Sequence, residues 1–66
     1  MRFIELTEPV EGRYTGNTFL VNVHQILTMK EVCNWEGKYS HTLLDMGGAQ
    51  VKCVENSHDI MVKIRG

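Results

Sequence analysis

Apolar and polar residues nearly alternate through R-F-I-E-L-T (2–7), the period of a short strand with one buried face. Ile4 and Leu6 fall on one side of that strand, Phe3 and Glu5 on the other. The next ten residues, E-P-V-E-G-R-Y-T-G-N (8–17), hold the only proline and two of the six glycines. Proline has no amide donor and glycine tolerates positive φ, so this stretch reads as a long loop or a loose, protruding hairpin. A connection of that length in a small domain tends to be functional. T-F-L-V-N-V (18–23) is rich in β-formers and predicts a second strand. Asn22 then invites a turn, and N-V-H-Q (22–25) suits a single helical turn capped by the Asn22 side chain.

Residues 26–33, I-L-T-M-K-E-V-C, return to extended character. Thr28, Lys30 and Val32 share one face, and Leu27, Met29, Glu31 and Cys33 share the other. Neither face is cleanly apolar, which fits a sheet edge or a contact with another copy of the chain. Asn34-Trp35-Glu36-Gly37 is a turn signal, with Asn at the first position and Gly at the last. A four-residue loop there sets Cys33 opposite Lys38 and brings His41 near Lys30. The next strand is predicted over 38–45, followed by a tight Met46-Gly47-Gly48-Ala49 turn in which both glycines take the positive φ of a type I′ turn. The last strand is predicted over 50–54, with Val51 and Cys53 on one face. The period then changes. Asn56 or Ser57 suits an N-cap, Ile60, Met61 and Ile64 form an apolar stripe, and Lys63 and Arg65 fall where a helix dipole favours cations, so a helix is predicted over 56–65. A helix this short must dock on the sheet to persist. The fold expected is α+β and mainly β: an antiparallel β-meander of four to five strands with one short C-terminal helix.

Composition narrows the function classes. Sixty-six residues make one small domain, with seven Lys+Arg against eight Asp+Glu and 42% apolar residues. That size leaves no room for a second domain or a large cleft, and that composition is too apolar and too charge-balanced for disorder. No apolar run approaches the length of a membrane helix, and no charged segment leads into an apolar secretory core, so a cytoplasmic protein that stays off the membrane is expected. Two cysteines without a C-x-x-C spacing point to reduced thiols rather than a zinc knuckle or a redox motif, with a single disulfide as the alternative.

The candidate chemistry is sparse. Cys33, Cys53, His24, His41 and His58 are the side chains able to act in catalysis or hold a metal. They lack ligand spacing, and Cys33 and His41 are not natural partners across the hairpin, so no catalytic residue, metal or cofactor is expected. The basic residues are interleaved with acids, whereas phosphate recognition needs a one-sided patch. Lys30, Lys38 and Lys52 sharing a sheet face with Trp35 and Tyr39 is the arrangement by which nucleic acid would be bound. The aromatic residues carry more. Arg13 and Tyr14 lie in the long loop, Trp35 lies in a hairpin turn, and Tyr39 follows it; Trp, Tyr and Arg are the usual anchors of protein interfaces. Arg13, Tyr14, Trp35 and Tyr39 are therefore the candidate partner-binding residues. A chain this small has little core, so a homodimer covering Met29, Val32 or Trp35 is also expected.

L-V-N-V-H-Q-I (20–26), T-L-L-D-M-G-G (42–48) and Q-V-K-C-V-E-N-S (50–57), followed by a short helix, together resemble the small bacterial FlbD-type flagellar proteins. Those combine a V-N-x-x-x-I segment, an L-x-D-G hairpin and V-x-E-S before a helix. The pattern is also similar to the second half of LytTR DNA-binding domains and to small proteins of phages and prophages. Met46 stands before the glycines, and the 8–17 loop is additional to the pattern. No functional residue carries over from either family. The resemblance implies a bacterial or phage protein, and with the aromatic residues it leads to a non-enzymatic regulator or inhibitor, for instance of a host defence system, acting by protein contact. The alternatives are a LytTR-like nucleic-acid-binding regulator and a sponge that holds a nucleotide between subunits.

Overall fold

The computed structural model describes residues 2–9 and 16–66. Strands β1 (Phe3–Thr7) and β2 (Thr18–Asn22) pair antiparallel, with Ile4 opposite Val21 and Leu6 opposite Phe19. Asn22 ends β2 by turning its side chain onto the following backbone: its Oδ1 accepts from the His24 amide at 3.0 Å and caps a 3-10 turn at Val23–Gln25. The chain continues into β3 (Thr28–Cys33), β4 (Tyr39–Asp45) and β5 (Gln50–Cys53), a second antiparallel sheet in the order β3-β4-β5. Helix α1 (Ser57–Arg65) closes the fold. The protein is thus mainly β, with five antiparallel strands and a C-terminal helix among the described residues. The meander read from the turn signals runs through β3, β4 and β5, and the β1–β2 hairpin forms a sheet of its own.

The strand period decides the core. Ile4, Leu6, Val21, Leu44, Cys53 and Ile60 are buried together, with Thr42 beside them. Phe19, Val23, Ile26, Met29, Met46, Val51 and Ile64 pack around this cluster. Both sheets and the helix share one core, because each is too small to bury its apolar face alone. Met29, expected to await a second copy of the chain, packs against this core instead.

Two turns differ from their sequence-based expectation. At the β3–β4 hairpin the Asn34 amide donates to the Lys38 carbonyl at 2.8 Å, so Asn34 faces Lys38 and the loop shortens to Trp35-Glu36-Gly37. The register then shifts between Val32 and Cys33: Val32 lies opposite His41, and Cys33 opposite Tyr39. Ser40 is the extra residue of a β-bulge. Cys33 therefore does not face Lys38, and His41 does not lie across from Lys30. At the β4–β5 turn only Gly47 takes positive φ (87°), which matches the requirement of a type II′ turn rather than type I′.

Candidate functional site

The β3–β4 hairpin ends in a run of exposed residues, Cys33 to Ser40. Its tip is built by Asn34. The Asn34 Oδ1 accepts from the amides of Glu36 at 2.9 Å and Lys38 at 3.0 Å. The Asn34 carbonyl accepts from the Gly37 amide at 2.9 Å, and Gly37 supplies the positive φ (79°) that closes the loop. This network satisfies the loop backbone locally. It holds Trp35 at a fixed tip with 93% of its surface exposed, so the ring does not fold back over its own sheet.

Tyr39 has a different environment. The bulge at Ser40 places Tyr39 on the same face as Thr42, the face that meets the core and the helix. Its hydroxyl contacts Thr42 Oγ1 at 2.8 Å and donates toward the carbonyls of Val54 at 2.9 Å and Glu55 at 3.0 Å. Burial pushes the phenol pKa up. Tyr39 clamps the β5–α1 connection, while part of its ring remains exposed. It does not share a face with Lys30 and Lys52. Those two flank Leu43 on the outer face of the sheet, in register across the three strands. The arrangement of three lysines with both aromatics on one face is therefore not formed. Arg13 and Tyr14 lie outside the described residues.

Two carboxylates complete the clamp. Glu55 accepts from both the amide and the hydroxyl of Thr7, each at 2.9 Å, and so ties β1 to the β5–α1 connection. Glu31 of β3 accepts from the Ser57 hydroxyl at 2.6 Å and the Ser57 amide at 2.9 Å. Those two bonds, the hydroxyl's first, hold the Glu31 pKa below the usual carboxylate range. Asn56 accepts from the Asp59 amide at 2.8 Å and caps α1 as the sequence predicts. The amides of Ser57 and Asp59 at the start of the helix are thus used within the chain.

The remaining chemistry is inert or dispersed. Cys33 and Cys53 are free thiols on strands two positions apart in the sheet, and Cys53 is fully buried. Burial, then the nearby Glu55 charge, pushes the Cys53 pKa up to about 11. His24, His41 and His58 stand on three different elements, and no cluster of metal-ligating side chains occurs among the described residues. No helix there is long and apolar enough to cross a membrane.

One feature escaped the sequence reading. An open cleft of about 480 Å³ lies between the outer edge of β5 (Gln50, Val51, Lys52) and a wall made by Glu8, Pro9 and Phe19. Pro9 is the sequence signal that bears on it, as the one residue there with no amide to donate. No family model, no curated protein and no solved structure matches the chain.

Proposed function

We infer that this chain is a non-enzymatic protein-binding module that regulates the protein it contacts, with Trp35 as its anchor. The observation that carries this reading is an indole 93% exposed on a hairpin tip whose backbone is already ordered by Asn34. Exposing a Trp to water gains the fold nothing, whereas burying it in a partner's pocket removes a large apolar surface from water. Because the tip is ordered beforehand, little further entropy is lost on binding. Two free thiols accord with a reducing, cytoplasmic setting.

The test uses the intact chain as bait, with Trp35→Ala beside it. A protein retained by the wild type is purified and titrated by calorimetry against both. Loss of a central Trp anchor is expected to cost about 2 kcal/mol, roughly thirtyfold in affinity. The urea midpoint should not move, because Trp35 makes no core contact. Equal affinity for the two chains rejects Trp35 as the anchor.

A further inference from the structure

β4 and β5 are joined by the two-residue turn Gly47-Gly48, with the Met46 amide donating to the Ala49 carbonyl at 2.9 Å. Met46 and Ala49 are therefore a hydrogen-bonded pair. In an antiparallel ladder such pairs alternate, so the next are Leu44 with Val51 and Thr42 with Cys53. The main-chain groups of Val51 and Cys53 point toward β4, and those of Gln50, Lys52 and Val54 point away from it. Val54 uses its outward amide, which donates to the Thr7 carbonyl at 2.9 Å. Beyond Thr7, Glu8 and Pro9 lie across the cleft from Gln50, Val51 and Lys52, so the chain runs back along β5 in the antiparallel sense. Two residues on from the Thr7–Val54 bond, Pro9 comes opposite Lys52. The next bond of that ladder needs an amide from residue 9, and proline has none. β1 and β5 part after one bond. Among the described residues, no hydrogen bond reaches the outward main-chain groups of Gln50 and Lys52.

We propose that this cleft is a slot for one extended peptide segment of a partner protein, added as a strand to the β5 edge. Its main chain pairs with Gln50 and Lys52, as in other cases of strand addition. The walls set the side chains. Lys52 is exposed and stands on the outer face, where a carboxylate directly across from it is favoured. Val51 and Phe19 belong to the core side, where the neighbouring residue of the added strand is apolar. The occupant is an extended segment in which apolar and acidic residues alternate. A second copy of this chain fits less well. Its own β5 edge stands behind its own Glu8–Pro9 wall, so pairing edge to edge would force the two walls through each other. The slot is at Lys52, opposite Leu43 and away from the Trp35 tip, and the proposal does not depend on the role of Trp35.

The probe is a blocked seven-residue peptide of alternating valine and glutamate, added to the full chain, and the readout is amide hydrogen exchange at Gln50 and Lys52. With the peptide at ten times its dissociation constant, exchange at these amides is expected to slow roughly tenfold. The same protection should appear in Trp35→Ala. Lys52→Glu, at an exposed position, should fold normally and reverse the preference toward an alternating valine–lysine peptide. In the register that sets glutamate opposite Lys52, a peptide with proline in place of each glutamate cannot donate to the edge and should give little protection. The proposal is overturned by equal protection from the proline peptide, by no protection from the valine–glutamate peptide, or by protection that rises with protein concentration alone in step with a dimeric mass.

Discussion

Two cysteines of one chain illustrate how far a residue's chemistry depends on its position. Cys33 and Cys53 look alike in sequence, each near the end of an alternating segment. Cys33 comes out exposed beside the hairpin tip, and Cys53 is sealed against Leu44 and Ile60 in the core. Burial disfavours the thiolate, which is the reactive form, so Cys53 is inert while the fold persists. A thiol reagent at pH 8 is expected to label one cysteine per native chain, at Cys33, and two after denaturation; mass spectrometry reads both states. Two rapid labels in the native protein would contradict the buried position of Cys53. The same shift has a sign in pH. The Cys53 pKa lies above its ordinary value of 9.0, so its contribution to stability is complete below that value and is lost as pH rises through about 11. Tyr39 shows the same dependence on position. It follows Trp35 closely in sequence, yet the bulge at Ser40 sets it on the face of Thr42, where its hydroxyl is bonded within the chain while part of its ring stays exposed.

At the scale of elements, periodicity and turn chemistry were legible, because both are local. The Ile4/Leu6 face, the Asn22 cap, Gly37 at the close of its turn and the Asn56 cap are all used as the residues suggest. What was not legible is how elements are fastened to each other. Ser57 is fastened to β3 by Glu31, 26 residues earlier, and Thr7 is fastened to Glu55, 48 residues later. Nothing in a window of ten residues distinguishes these glutamates from solvated ones. Their roles can be tested. Asn56→Ala removes the side-chain cap of α1 and should cost about 1 kcal/mol in urea denaturation. Glu31 acts through its charge. Its pKa is lowered from 4.5, so the stability it lends is present above that value and is lost as pH falls through the lower folded value. In Glu31→Gln this part of the acid-induced loss should be missing, and a pH series of urea midpoints measures it. An acid limb identical to that of the wild type would remove Glu31 from its place at the helix terminus.

The whole molecule has one core for two sheets, and its smallness makes that core unforgiving. Leu44 is fully buried at the centre of the three-stranded sheet, and Leu44→Ala should cost about 2–5 kcal/mol. A domain of this size has a total stability of roughly 5 kcal/mol, so the variant is expected to be largely unfolded at 25 °C by circular dichroism. A cooperative transition near that of the wild type would show that the sheets hold without it. The sequence by itself determined the class of fold, the strands, where the turns fall, the helix and which face of β1 turns inward, because each follows from side-chain period and backbone preference within a few residues. Tertiary structure decided the rest. It divided the strands into two sheets, since Pro9 lacks the donor that would continue β1 along β5. It set Tyr39 on the face of Thr42 through a one-residue bulge, and it left Trp35 outside because, among the described residues, no second element covers the hairpin tip. These outcomes depend on which distant residues meet, and the candidate contact surfaces arise from them.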